Sequence, residues 1–144
     1  MPVGILAKRE DPINLEDMVA NVKKAVEGKN CGAIVTFTGI IRSRTHEGAA
    51  VDHLEYDVHP EAAKKGLEDM AKALCMVDGV LEASVCHRYG SFRPGEEVLY
   101  IVIATQWSSV AFEILRKAVY MVKHELPIWK KEFTDRGNYW VDID

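Results

Sequence analysis

The run Leu81-Glu82-Ala83-Ser84-Val85-Cys86-His87-Arg88-Tyr89, the tetrapeptide Arg93-Pro94-Gly95-Glu96 and the run Val98-Leu99-Tyr100-Ile101-Val102-Ile103-Ala104 decide the fold between them. In the first, Leu81, Ala83, Val85, His87 and Tyr89 alternate with Glu82, Ser84, Cys86 and Arg88, the period-2 pattern of a strand. Proline followed by glycine suits a type II turn. The last run is the most continuous β-forming stretch in the chain. Strand, tight turn and strand make an antiparallel hairpin, which a purely parallel doubly wound sheet does not contain.

Working outward, the upstream chain alternates helices with strands. A helix is predicted from Pro60, suited to a first helical position, to about Val77, with Ala63, Leu67, Met70, Leu74 and Val77 as its apolar stripe. Before it, Val51 to Val58 reads as a strand with Leu54, Tyr56 and Val58 on one face. Gly39 to Ala49 is polar and basic, a loop or hairpin holding Arg42, Arg44 and His46. Ala33 to Thr38 is a short β-rich run, predicted to be a strand buried on both faces. Asn14, with Asp17 three residues on, resembles a capping box. It opens a helix through Leu15, Met18, Val19, Val22, Ala25 and Val26, stopped at Gly28. Val3 to Ala7 is a short strand. Downstream, a helix starts at Ser108 or Ser109 and ends before Pro127, because proline disfavours helix at the residue preceding it. Strands Ile128–Phe133 and Tyr139–Ile143 flank a turn at Thr134–Asn138. The order β-α-β-β-α-β-β-α-β-β mixes hairpins with helical crossovers. It predicts one α+β domain over residues 1–144, of two layers, with mixed or antiparallel sheets.

Composition narrows the function. The chain has 144 residues, 48% apolar and 28% charged, the balance of one globular domain. Its net charge of −4 argues against nucleic-acid binding by bulk positive charge. No apolar run is long enough to span a bilayer, and nothing resembles a signal peptide. Cys31, Cys75 and Cys86 are odd in number and form no CxxC pair, so a reduced, cytoplasmic protein is expected.

Dinucleotide, P-loop, zincin and nucleophile-elbow motifs are all missing. Cys86-His87 suggests a nucleophile and its base, but strand neighbours point to opposite faces. His87 with Arg88 suggests an anion site, or a structural role at a strand end. His46, His53, His59 and His124 share no metal-ligand spacing, so no metal site is expected. The cations say more. On the third helix, Ala111, Phe112, Ile114, Leu115, Ala118, Val119, Val122 and Leu126 form an apolar arc, and Lys123 falls on its border in the last turn. There it either complements the helix dipole or reaches over the buried face. Lys130 and Lys131 face opposite sides of a strand, so at most one joins Lys123. With Arg42 they would make a site for a phosphorylated or otherwise anionic small molecule. The alternative is a solvated, charged edge strand.

One family ties these segments together. Gly32-Ala33-Ile34-Val35-Thr36-Phe37-Thr38-Gly39-Ile40-Ile41-Arg42 resembles the opening motif of the large, catalytic subunit of molybdopterin synthase. So do Leu54-Glu55-Tyr56-Asp57, His87-Arg88-Tyr89-Gly90, Pro94-Gly95-Glu96 and Pro127-Ile128-Trp129-Lys130-Lys131-Glu132, in family order. The resemblance implies an α/β-hammerhead fold and a sulfurtransferase. It also implies a homodimer, which becomes a heterotetramer when a small ubiquitin-like sulfur carrier docks at each end. The carrier's C-terminal Gly-Gly, as a thiocarboxylate, would give sulfur to cyclic pyranopterin monophosphate and form the dithiolene, with no metal or redox cofactor. Lys123 and Lys130 fall on the family's catalytic lysines. Arg42, Ile40, Ile41 and Phe37 fall on the substrate-binding end of the first motif, and Lys131 and Glu132 complete the matching strand. Where the family has His-Arg, this chain has Trp107-Ser108, so a cation and an imidazole are absent from the substrate site. The basic tail of some relatives is not expected, since the sequence stops at Asp144. The alternative function is a divergent, non-catalytic paralogue that binds the carrier or a phosphorylated ligand.

Overall fold

The computed structural model describes residues 1–141. Its elements are β1 (Val3–Lys8), α1 (Leu15–Ala25), β2 (Ala33–Ile40), β3 (Val51–Val58), α2 (Pro60–Cys75), β4 (Val80–Phe92), β5 (Glu97–Thr105), α3 (Ser108–Glu125), β6 (Ile128–Thr134) and β7 (Gly137–Val141). The expected end of the last strand at Ile143 lies outside the described residues.

β4 is the spine of the sheet. Its first half pairs antiparallel with β5, Ser84–Tyr89 pair parallel with β1, and Gly90–Phe92 pair antiparallel with β3. The strand order is β2-β5-β4-β3-β6-β7, with β1 beside β4. The sheet is therefore mixed, and the domain is α+β as expected. The turn between β4 and β5 closes with the Glu96 amide donating to the Arg93 carbonyl at 3.1 Å. Gly95 there takes φ +91°, the left-handed value that the third position of a type II turn requires.

Alternate residues of the central strands serve two cores. Val85, Ile101 and Ile103 meet Leu67 and Leu74 of α2 and Ile114, Ala118 and Val122 of α3. Cys86, Tyr100, Val102 and Ala104 meet Met18 and Val22 of α1. The sheet with α2 and α3 makes the expected two layers, and α1 covers the opposite face of β4 and β5. This second cover changes the reading of β4. Glu82, Ser84 and Arg88, placed on a polar face by the alternation, are buried. Arg88 donates to the carbonyls of Lys8, Arg9, Asp11 and Ile13 at 2.5–3.1 Å, tying the β1–α1 connection to the sheet.

β2 departs from expectation in the other direction. It is the edge strand, bonded only to β5, and is half-buried instead of buried on both faces. The helix starts follow their caps. The Asn14 side chain accepts from the Asp17 amide at 2.9 Å, and His59 Nδ1 accepts from Ala62 ahead of the α2 proline.

Candidate active site

One cavity of about 270 Å³ gathers residues from six strands and helices and the segment after β2. The end of β2 supplies one wall with Phe37, Thr38, Gly39 and Ile40. Gly39 packs so closely on Leu99 that a Cβ there would sit 3.1 Å from the Leu99 Cβ. Val98 and Leu99 of β5 and Val122 of α3 add an apolar floor. Just past β2, Ile41 donates its amide to the Glu96 carbonyl at 3.0 Å and accepts from the Gly95 amide at 2.9 Å. That clasp fixes the backbone from which Arg42 enters the cavity. Ile41 itself is buried under the wall and does not line it.

Lys123 and Lys130 arrive from opposite sides. Lys123 stands in the last turn of α3, half-buried between buried Val122 and exposed His124, as its border position on the apolar arc suggests. Lys130 is only 8% exposed, uncommon for a lysine. It sits on β6 directly across from Tyr56 on β3, which also lines the cavity. Three cations thus meet in one cleft, and none of its described lining residues is an aspartate or glutamate.

His87 is the neutral member. Its Nδ1 lies 2.6 Å from the Arg88 carbonyl. A carbonyl only accepts, so Nδ1 carries the proton and Nε2 is left as an acceptor. Burial lowers its pKa to about 4, because the charged imidazolium is disfavoured away from water. Its ring stands edge-on to Tyr56 with centroids 4.8 Å apart. His87 and Arg88 therefore part company: one faces the cavity, the other braces the β1–α1 connection. Cys86 lies on the opposite face from His87, and burial pushes its thiol up to about 11.

The remaining sequence candidates lie elsewhere. Lys131 points to the other face of β6, its ammonium 5.1 Å from the Phe133 ring centre and 5.4 Å from that of Trp140. Glu132 returns to the Lys130 face but lines a neighbouring cavity. Trp107 and Ser108 are at the start of α3. Fifteen residues at 1.5 Å rise put Ser108 about 22 Å from Lys123 along the helix, and neither lines the cleft. Trp107 instead covers the turn before β4, close enough that a Cβ at Gly79 would meet its ring at 3.0 Å. Phe37, Ile40, Arg42, Lys123 and Lys130 are the sequence candidates that the fold brings together. Tyr56 and His87 join them through the β3–β6 pairing and the length of β4. Among the described residues no group of three or more His, Cys, Asp and Glu side chains is placed to hold a metal ion, and no helix is long and apolar enough to cross a membrane.

A mixed sheet layered with helices, with Arg42, Lys123 and Lys130 gathered in one cleft over an apolar floor, defines an α+β protein whose cleft suits an anionic small molecule. Comparison with known proteins gives that class a family. Residues 9–125 match the model of the MoaE protein family, and the chain belongs to it. It is 30% identical over 139 residues to a molybdopterin synthase catalytic subunit from Pyrococcus abyssi, covering 96% of this chain and 90% of that one. It is 32% identical to the subunit of the same name from Thermoplasma volcanium, over 90% of each chain. Molybdopterin synthase from Staphylococcus aureus superposes with a TM-score of 0.81 at 25% identity, over 98% of both chains.

Proposed function

We propose that this chain is the catalytic subunit of a molybdopterin synthase and that the Arg42–Lys123–Lys130 cleft is where sulfur is transferred. The substrate is cyclic pyranopterin monophosphate, and the sulfur donor is the C-terminal thiocarboxylate of a small ubiquitin-like carrier. The observation that carries this reading is the meeting of three cations from separate segments in one cleft. Both reactants are anions, and both need charge compensation to come together.

Arg42 and Lys130 suit the phosphate. A guanidinium binds its oxygens in a bidentate fork, and an ammonium adds a point charge. Each charge-assisted hydrogen bond is worth about 1.5–3 kcal/mol. Lys123 suits the reacting acyl group. The thiocarboxylate sulfur adds to the carbonyl-level carbon of the pterin side chain, whose oxygen leaves as water, and the carrier stays joined through an acyl–sulfur bond. Water then cleaves that bond, releasing the carrier as a carboxylate and leaving sulfur on the pterin. Negative charge builds on the acyl oxygen in that step, and the Lys123 ammonium stabilises it. A second transfer at the neighbouring carbon displaces the phosphate ester oxygen, opening the cyclic phosphate to a monoester, and loss of a proton gives the dithiolene. The apolar floor of Val98, Leu99 and Val122 lessens the screening of these charges by water. The non-catalytic alternative draws on Trp107-Ser108, and within one chain these residues take no cation out of the cleft.

The test is reconstitution with thiocarboxylated carrier and the pterin monophosphate. Lys123→Ala should cut dithiolene formation by about a hundredfold or more while carrier binding and the melting temperature stay close to wild type. Turnover near the wild-type rate would overturn the assignment.

A further inference from the structure

His87 sits within β4, paired with Leu6 of β1 on one side and Leu99 of β5 on the other. Its ring is held as well as its backbone. Nδ1–H donates to the Arg88 carbonyl at 2.6 Å, and the Tyr56 ring stands edge-on against it. Arg88 is itself tied down by four carbonyls of the β1–α1 connection. The free ring nitrogen is therefore Nε2, an acceptor of fixed direction. None of the described residues donates to it, yet it is not sealed in. His87 is 3% exposed, and it lines the cleft.

A residue showing so little surface presents one atom, not a ring face. There is room for a single small donor, and a buried acceptor left without a donor is costly. Burial also keeps the ring neutral, with its pKa lowered to about 4, so Nε2 keeps its lone pair throughout the neutral range. Arg42, Lys123 and Lys130 carry donors and cannot take up a proton. Cleavage of the acyl–sulfur bond by water needs a proton removed beside those cations. The imidazole is well placed for it: Tyr56, which its edge meets, lies directly across from Lys130 on β6.

We propose that His87 Nε2 holds and deprotonates the water that cleaves the acyl–sulfur bond, which makes His87 a catalytic residue of carrier release. The inference rests on the sulfur-transfer reading of this cleft. The water oxygen bonds to the acyl carbon as one of its protons passes to Nε2. The carbon–sulfur bond of the tetrahedral adduct then breaks, its electron pair goes to sulfur, and Nε2 returns the proton to that sulfur. The carboxylic acid so formed gives its proton to solvent. The imidazolium exists only while the negative charge of the adduct is there to favour it. Neutral at rest, the ring adds no further cation to retain the carrier's new carboxylate.

The test is a single-turnover reaction of the full subunit with the pterin monophosphate and thiocarboxylated carrier, quenched at intervals and followed by mass spectrometry. His87→Phe keeps a ring and removes the acceptor. It should form the carrier–pterin adduct at close to the wild-type rate and release the carrier about a hundredfold more slowly, so that the adduct accumulates. His87→Gln keeps an acceptor without a base. It should slow release by about tenfold or more, and it decides the matter if His87→Phe folds poorly. Hydroxylamine, a nucleophile that needs no base, should free the carrier from the accumulated adduct as a hydroxamate. Release at the wild-type rate in either folded variant overturns the proposal. So does an adduct that hydroxylamine leaves intact, which would not be an acyl–sulfur bond. A weaker affinity for the pterin without accumulation also overturns it, in favour of Nε2 as an acceptor for a substrate N–H. These outcomes leave the sulfur-transfer reading standing if the wild type makes dithiolene. A wild type that makes neither adduct nor dithiolene overturns both.

Discussion

A single imidazole links the cleft to stability. His87 is neutral because it is buried, with its pKa lowered to about 4. The unfolded chain takes up that proton as pH falls through about 6.5, the folded chain only near 4. Between those values the unfolded state holds more protons, so stability falls as pH falls, and the loss is complete below about 4. Roughly two and a half pKa units amount to about 3 kcal/mol. His87→Gln removes this contribution. Urea unfolding at pH 7 and at pH 4 should show the wild type losing about 3 kcal/mol more than the variant, and parallel losses would mean that His87 titrates as an ordinary histidine. Lys131 gives the contrasting case. It faces away from the cleft, over Phe133 and Trp140. Lys131→Ala should lower stability by about 0.5–1 kcal/mol, the worth of an exposed cation–π contact, and leave dithiolene formation within a few-fold of wild type. A loss as deep as that of Lys123→Ala would place Lys131 in the chemistry.

At the level of elements, β1 is held between β4 and α2, and Gly4 is where the helix backbone comes closest. A Cβ at Gly4 would run into the Leu67 and Glu68 backbone, which no rotamer change relieves. Gly4→Ala should therefore cost about 1–3 kcal/mol or more. Gly28→Ala meets open space and pays only for its φ of +76°, about 1 kcal/mol. Denaturation midpoints for the two variants should rank in that order, and equal losses would mean that α2 can shift away. This close approach was invisible in the sequence, where Gly4 is simply one residue of a short strand. Local signals were legible: Asn14, Pro60, Pro94-Gly95 and Pro127 mark boundaries through their own backbone chemistry. The spacing of Lys123 and Lys130 was legible too, because a helix border and a strand parity fix where each side chain goes. What β4 buries on its second face depends on α1, some sixty residues away, and the half-exposure of β2 depends on no strand lying outside it. Tyr56 and His87 entered the cleft through strand pairing, which the residues of neither strand disclose alone.

For the whole molecule, the sheet's outer edges carry the next expectation. β2 ends the strand order with eight residues, AIVTFTGI, that include no charge and no proline. Edges left without such guards invite pairing with another chain. β7 ends the order on the other side, with Tyr139 and Trp140 exposed. A chain with two unguarded edges should self-associate, and closed two-fold symmetry is the common outcome. Each chain contributes a full set of Arg42, Lys123 and Lys130 to its own cleft, so each should take one carrier. The expected assembly is a homodimer that binds two carriers, a heterotetramer. Sedimentation of the subunit alone should give twice the 16.2 kDa chain mass, and titration should saturate at one carrier per chain. A monomer both alone and with carrier would show that these edges are guarded in solution. Saturation at one carrier for every two chains would show that the two clefts exclude each other.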